Sequence, residues 1–394
     1  MSIYISLSSI ELLNNFKDLF KVIQFGNYIP ILNTFLLKIK NNKLIITASD
    51  LETTVVSYIK IKNIIKDNNF SFKDNFSFCI SPFILINILK YFNDNIILKI
   101  ENEKKYININ SKKGNYTIPF QSSLNYPKFY KLKNLTKFFL SKKILLNAIN
   151  QVFFLINKNN IRQSINGMLI KLCKNKIIFV STDSYNLIEY SYNICCENNF
   201  FEENNNLELI IPRRPIMILK NILLNINDKK IIIEYNENNF KILLKNKIFI
   251  SRIINDKFPN YKKIIPKNKK YIFKINRKEF FYSVKRLSLF SDKNIHFIFS
   301  KEKINIYTSD NKNNKKAYEY IDYYKNNDIL LDKNIEFKLN YKSFINIISH
   351  IFQKEFYFIF FKKNKIIMII PIIKEKNDIK EKNEKIKILI MPIF

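Results

Sequence analysis

Glycine is nearly absent from this chain, with three residues in 394. Three isolated glycines cannot build the Gly-rich loop that wraps a nucleotide phosphate, so the common nucleotide-binding classes are excluded. Tryptophan is missing, and the two histidines, His296 and His350, sit in no catalytic or metal-binding motif. Each reads as a structural side chain, His296 on a strand and His350 on a helix. The four cysteines (Cys79, Cys173, Cys195 and Cys196) lack metal-ligand spacing, and the adjacent Cys195-Cys196 suits neither a zinc knuckle nor an ordinary disulfide. They read as reduced, structural thiols. No apolar run reaches the ~18–20 uncharged residues of a membrane-spanning helix. The opening MSIYISLSSIELL has neither a basic n-region nor a cleavage site, so a cytoplasmic protein with no membrane partner is expected. Acidic residues are also scarce, 33 against 66 Lys plus Arg, for a net charge of +33. That excess suits a polyanion-binding protein. The chain is, however, swollen with Ile, Lys, Asn, Phe and Tyr, the residues of A/T-rich codons, and the mutational bias of a reduced genome is a second source of lysine. Where the charge sits is therefore better evidence than its total.

What is present is a repeat. The stretch 166–194, NGMLIKLCKNKIIFVSTDSYNLIEYSYNI, has an alternating strand that breaks at Thr182-Asp183 and resumes after a short polar turn. The same pattern surrounds Asp50 in 33–61 and Asp310 in 295–323. The three aspartates are about 130 residues apart, a third of the chain, which means three copies of a domain. The expected boundaries are 1–134, 135–268 and 269–394, with linkers near 132–137 and 266–270.

Each third divides again into two similar halves, a helix followed by alternating strands. Helical apolar spacing marks 10–25, 82–92, 141–155, 212–224, 276–289 and 340–352. Ser81 is a candidate cap for the second of these, with Pro82 in its first turn and Pro212 as the equivalent proline of the fourth. Strands follow at 35–40, 43–48, 54–61, 96–101, 106–111, 115–120, 230–235, 240–245, 247–253, 356–361, 365–370 and 387–393. Asn41-Asn42 reads as a hairpin turn and Gly114 as a turn residue of positive φ. The charged run 374–385 reads as a solvated loop. Six half-units with helices on one face and sheets on the other suggest an α+β pseudo-symmetric array. Sheets running across domain borders would leave few free edges, as in a closed ring.

No catalytic constellation appears. Asp50, Asp183 and Asp310 recur one per repeat, each in a turn where Asp bonds its own backbone two residues on. Carboxylates spread over three domains do not make a two-metal site. A non-enzyme without cofactor or metal is expected.

Several strings, in order along the whole chain, carry a resemblance: IPILNTFLL (29–37), TASDLE (47–52), INGML (165–169), STDSYNL (181–187), IPRR (211–214), DKFPNYKKIIPKN (256–268) and the terminal ILIMPIF (388–394). With the threefold repeat, they resemble the bacterial sliding-clamp family, the beta subunits of DNA polymerase III. The resemblance implies the DNA clamp fold: three repeated clamp domains, each two α/β half-units, in a head-to-tail homodimeric ring with helices lining the hole and sheets outside. It implies a processivity factor that encircles duplex DNA without reading its sequence and tethers the replicative polymerase alpha subunit. An ATP-using clamp loader opens such rings, so the clamp needs no nucleotide site of its own.

By position, the resemblance implies a partner-peptide pocket of Ile165, Thr182, Leu187, Pro259, Lys263, Ile264, Leu389, Ile390, Met391, Pro392 and Ile393, with Arg162 at its rim. From the residues alone, Met391-Pro392 also reads as an edge strand ended by proline. An apolar groove with an adaptable Met suits several partners and implies affinity that changes little with salt. The turn after Asp183 reads Ser184-Tyr185-Asn186 where the family usually has Gly-His-Arg, and the chain ends one residue early, at Phe394. DNA contacts are expected from Lys17, Lys21, Lys90, Lys142, Lys143, Arg213, Arg214, Lys220, Lys278, Lys285, Arg286 and Lys342 on the helices, and from Lys158 in the loop 157–164. In that loop Gln163-Ser164 replace a common tyrosine pair. A helix lysine can equally be an ordinary solvated face. The implied dimer interface sets Tyr116 and Ile118 against Leu289 and Phe290 of the other subunit. The family's ion pairs there are lost: Phe83 and Ile84 stand at the basic positions, Lys315 and Lys316 at the acidic ones. The competing readings are a monomeric basic nucleic-acid-binding scaffold and an enzyme with an unrecognised site.

Overall fold

The computed structural model describes residues 2–26, 28–66, 76–127, 132–157, 160–194, 207–266, 269–310, 313–324, 333–361, 366–373 and 383–393. Lys158, Cys195, Cys196, Phe394 and most of the loop 374–385 lie outside them.

Among the described residues one motif occurs six times: a strand, a helix, then three antiparallel strands. The first copy is β1 (Ser2–Ser8), α1 (Ser9–Phe20), β2 (Phe35–Lys40), β3 (Lys43–Ser49) and β4 (Thr53–Lys60), followed by an extra short strand, β5 (Asn63–Lys66). The second is β6 (Phe76–Ile80), α2 (Pro82–Leu89), β7 (Asn95–Glu101), β8 (Tyr106–Ser111) and β9 (Gly114–Ser122). The third is β10 (Thr136–Ser141), α3 (Lys142–Val152), β11 (Gly167–Cys173), β12 (Lys176–Thr182) and β13 (Asn186–Asn193). The fourth is β14 (Leu207–Pro212), α4 (Arg213–Leu224), β15 (Lys230–Tyr235), β16 (Asn239–Leu243) and β17 (Lys247–Arg252). The fifth is β18 (Lys269–Asn276), α5 (Arg277–Leu287), β19 (Asn294–Phe299), β20 (Lys303–Asp310) and β21 (Lys315–Asp322). The sixth is β22 (Ile335–Asn340), α6 (Tyr341–Ser349), β23 (Glu355–Phe361), β24 (Ile367–Pro371) and β25 (Glu384–Ile390).

The strand that leads each half-unit was not expected from sequence. In β1 the alternation is plain, with Ile3, Ile5 and Leu7 buried. β10 and β18 occupy positions assigned to linkers, 136–137 and 269–270. A leading strand runs almost straight into its helix, and in the first, third, fifth and sixth half-units no Gly or Pro marks the change of period. The caps mark it instead. Ser8 Oγ accepts from Glu11 N at 3.4 Å, Asn276 Oδ1 from Lys278 N at 3.0 Å, and Asn340 Oδ1 from Ser343 N at 3.2 Å. Ser81 occupies the cap position of α2, but its hydroxyl makes no capping bond. Pro82 is the first residue of α2, whereas Pro212 is the last residue of β14, one position outside α4.

Asn41 and Asn42 have φ of 49° and 57°, the left-handed pair expected of a tight hairpin. Gly114 does not have positive φ: the β8–β9 turn is Lys112-Lys113, and Gly114 already pairs with Ser111. Gly167 is required for another reason, since a Cβ there would lie 2.5 Å from Ile211 O on β14.

The chain forms two compact units. One is Met1–Lys143 with Arg214–Ile253; the other is Ile144–Arg213 with Ile254–Phe394. The first holds a 13-stranded sheet ordered β10-β15-β16-β17-β4-β3-β2-β6-β9-β8-β7-β1-β5. The second holds an eight-stranded sheet, β14-β11-β12-β13-β25-β24-β23-β18, and a four-stranded sheet, β21-β20-β19-β22. Two pairings carry sheets from one sequence repeat into the next. β17 pairs with β4 (Lys247↔Ser57 to Ser251↔Thr53), and β13 with β25 (Asn186↔Ile390 to Tyr192↔Glu384). Both units therefore draw strands from the middle third of the chain.

The first joint is held by a buried polar cluster. Lys247 Nζ on β17 forms an ion pair with Asp18 on α1, whose side chain is 1% exposed. Asn225 Nδ2 donates to the other Asp18 oxygen at 2.7 Å, and Ser57 Oγ donates to Asn15 Oδ1 at 2.6 Å. Removing one partner strands a buried charge, a loss of about 3–5 kcal/mol. Lys247→Ala is expected to lower the first unit's unfolding free energy, extrapolated from urea titration, by that amount, whereas the exposed Arg252→Ala changes it by less than about 1 kcal/mol. Equal unfolding free energies for the two variants would refute this role. In the second unit the core is built of phenylalanine: Phe280 on α5 meets Phe344 on α6 at 5.8 Å and Phe297 on β19 at 5.9 Å between ring centroids.

Candidate functional site

The recurring aspartates do what turn chemistry requires. Asp183 Oδ1 accepts from Tyr185 N at 2.9 Å and Asn186 N at 2.6 Å, and Oδ2 accepts from Asn186 Nδ2 at 2.9 Å. Asp50 Oδ1 accepts from Glu52 N and Thr53 N at 3.1 and 2.6 Å, and Asp310 Oδ1 from Asn313 N at 3.3 Å. Leu51 and Ser184, next in line, both have positive φ (74° and 80°). Burial raises the Asp50 carboxyl above its ordinary range, opposed by the Thr53 hydrogen bond and by Arg214.

The Asp183 turn is also the start of a groove. Asn186 Nδ2 reaches from it to Ser343 Oγ on α6 at 3.0 Å. The chain leaving β25 is held on both sides. Met391 N donates to Tyr185 O at 3.1 Å, while Ile393 and Lys338 on β22 exchange two backbone bonds of 2.7 and 2.9 Å. Pro392, which has no N–H to offer, sits between these bonded residues. The result is a cavity of about 620 Å³. Its lining comes from the turn (Asp183, Tyr185, Asn186), the chain end (Ile390, Met391, Ile393), β22 (Lys338, Leu339, Asn340), α6 (Lys342, Ser343, Phe344, Ile347) and the start of β19 (Lys293, Asn294). Met391 and Ile393 are each 54% exposed, a large apolar surface to leave open to water.

Three residues assigned to the pocket from sequence, Ile390, Met391 and Ile393, line this cavity. Ile165, Leu187 and Leu389 are buried; Leu187 and Leu389 pair across β13 and β25 in a core with Tyr261. Thr182 donates to Asn186 O at 2.7 Å and so shapes the turn. Pro259, Lys263 and Ile264 belong to the segment that packs Phe258, Tyr261 and Ile265 against that core. These three, with Arg162 and Pro392, are outside the lining. Sequence reasoning missed Lys293, Lys338, Asn340, Ser343, Phe344 and Ile347, and gave Lys342 to DNA. They lie on the last third of the chain, and the Lys338–Ile393 bridge together with the Asn186–Ser343 bond brings them to the Asp183 turn.

The cations proposed for DNA divide into two groups. Lys17, Lys21, Lys90, Lys143, Lys278, Lys285 and Lys342 are exposed, and Lys220 is half-buried. Four others are engaged by the fold. Lys142 Nζ donates to Ile226 O at 2.6 Å, and Arg214 donates to Val22 O at 2.7 Å while facing Asp50 at 3.3 Å. Arg213 donates to Ile156 O with its guanidinium 4.7 Å from the Phe153 ring, and Arg286 pairs with Glu319 at 2.6 Å. The histidines are likewise placed structurally: His296 stacks on Tyr307, and His350 on Phe154.

Sequence models of the DNA polymerase III beta subunit match the chain twice, the N-terminal domain over residues 3–130 and the central domain over 139–260. The chain belongs to the DNA polymerase III beta subunit family. It is 25% identical over 320 residues to the beta sliding clamp of Haemophilus influenzae (80% of this chain, 83% of that one). It is 28% identical over 260 residues to that of Buchnera aphidicola subsp. Rhopalosiphum padi (66% and 67%). The fold is similar to the Thermotoga maritima beta subunit (TM-score 0.84, 18% identity, 100% and 99% covered) and the Helicobacter pylori beta clamp (0.85, 20%, 99% and 100%).

Among the described residues, two open strand edges lie at opposite ends of the sequence repeats. β21 pairs only with β20, and residues 114–119 of β9 pair only with β8, because β6 takes up just Phe120 to Ser122. Leu289 (74% exposed) and Phe290 (41%), after α5, lie against β21, and Phe83 (62%) and Ile84 (51%) on α2 are likewise exposed apolar side chains. Tyr116 is 37% exposed, but Ile118 is only 3% exposed. Ile118 faces the first unit's own core, opposite Ile107, and is not available as a contact surface.

Proposed function

We propose that this chain is a sliding clamp: a head-to-tail homodimer that encircles duplex DNA and tethers the replicative polymerase as a processivity subunit, without catalysis of its own. The observation that carries this reading is the sixfold strand–helix–three-strand motif, with sheets passing unbroken from each sequence repeat to the next. The domains would be residues 1–134, 135–268 and 269–394. The open edges on β9 and β21 suit pairing between protomers, which removes the edge liability. The exposed lysines on the helices would supply sequence-independent phosphate attraction, which permits sliding where base readout would arrest it. The groove beside Met391 and Ile393 would take a short apolar peptide of the polymerase alpha subunit or the clamp loader, whose ATP-driven opening spares the clamp a nucleotide site.

The test is topological. Loaded by a clamp loader onto nicked circular plasmid, the protein should stay bound through gel filtration at high salt and be lost once the plasmid is cut. Equal retention on circular and linear DNA would reduce it to a basic nucleic-acid binder.

A further inference from the structure

The groove is more basic than a simple apolar peptide site needs. Lys293, Lys338 and Lys342 all line it and are all exposed, against a single carboxylate, Asp183. That carboxylate is already occupied by three hydrogen bonds from its own turn. Among the described residues none of the three lysines forms an ion pair. α6 presents its first turn to the same cavity and carries no acidic residue there, so the positive end of its dipole adds to the field. The field extends to the neighbouring strand: His296 is held below its usual range by burial and then by Lys338.

We infer that this groove selects acidic partner peptides, in which carboxylates flank the apolar anchors and are received by Lys338, Lys342 and Lys293. The inference rests on the groove being the partner-peptide site. The apolar wall of Met391, Ile393 and Phe344 favours a peptide over a nucleic acid, because it seats side chains that a phosphate backbone does not offer. It also reassigns Lys342 from DNA to partner recognition. The salt-insensitive affinity expected from apolar anchors is replaced by one with an electrostatic share, since exposed charges are screened beyond about 10 Å at 0.1 M salt.

Fluorescence anisotropy with two labelled peptides tests this on the full-length protein. Both carry a Gln followed by Leu and Phe; one is flanked by three Glu and the other by three Gln. The acidic peptide should bind about fivefold tighter at low salt, the sum of two or three exposed ion pairs. The difference should vanish near 1 M salt. Lys338→Gln with Lys342→Gln should remove the preference, and the corresponding Lys→Arg pair should keep it. Equal affinity of the two peptides at low salt overturns the inference and leaves the groove assignment standing. Failure of both peptides to bind overturns the groove assignment and the inference with it. Displacement of the acidic peptide by a short single-stranded oligonucleotide at similar concentration assigns the lysines to nucleic acid and also overturns it.

Discussion

Leu289→Asp combined with Phe290→Asp is expected to yield monomers at concentrations where the proposed dimer of the unaltered protein forms. Both side chains are exposed in the protomer, at 74% and 41%, so charging them leaves its own core intact. In the proposed dimer they meet the face that carries Tyr116, Phe83 and Ile84. Burying two side chains of this size is worth roughly 1.5–3 kcal/mol each. Their loss raises the dimer Kd on the order of a hundredfold to ten-thousandfold. Two unpaired carboxylates at an apolar contact raise it further. Sedimentation equilibrium reads this directly, and circular dichroism checks that the monomer is folded. A double variant that sediments as a dimer excludes this surface as the interface. Phe83, Ile84, Lys315 and Lys316 leave no complementary charges to pair across it, so raising salt from about 0.1 to 0.5 M should change the dimer Kd by less than roughly threefold.

The repeat and the helices were legible because each is written locally. Helical apolar spacing locates the six α-helices of the described residues, and the Asp50, Asp183 and Asp310 turns are legible because an Asp and its backbone partners are neighbours in sequence. The leading strands are hard to read although β1 alternates cleanly, because four of the six abut their helices with no breaker between, and the prolines of the other two, Pro82 and Pro212, read as helix starts. Ser81 shows that even a cap residue in the right place need not form its bond.

The joints were not legible. That β17 would pair with β4, and β25 with β13, depends on strands about 190 residues apart meeting in register, which no local pattern encodes. The groove has the same character. Ile390, Met391 and Ile393 were assigned through resemblance, yet the lysines that set its charge arrive on β22, α6 and β19. Lys342 reads in sequence as a helix cation like the others, and its place in the cavity lining follows from the contacts of α6 and β22 with the Asp183 turn and the chain end. Ile118 points inward within a largely exposed strand: Thr117 and Pro119 on the opposite face are exposed, and Tyr116 shares its face but is exposed nearer the strand's start.

Removing Met391-Pro392-Ile393-Phe394 separates the groove from every other feature of the protein. β25 ends at Ile390 and keeps its pairing with β13 and β24, so the sheet that joins the middle and last repeats survives. What is lost is the Met391 N to Tyr185 O bond, the two-bond bridge of Ile393 to Lys338, and two half-exposed apolar side chains of the groove wall. Those exposed hydrogen bonds contribute about 0.5–1.5 kcal/mol each, so the second unit should lose only a few kcal/mol of stability. The apolar wall matters more for binding. Withdrawing two anchors' worth of burial, roughly 1.5–3 kcal/mol each, weakens a Gln-Leu-Phe peptide by a hundredfold or more. The truncated protein should therefore still sediment as a dimer and still be retained on circular DNA after loader-independent assembly, while anisotropy shows no peptide binding at micromolar protein. A truncated chain that binds the peptide with unchanged Kd would place the partner site elsewhere. Loss of the dimer together with the peptide would mean that the chain end holds the last repeat together, and does not serve as a wall of the groove alone.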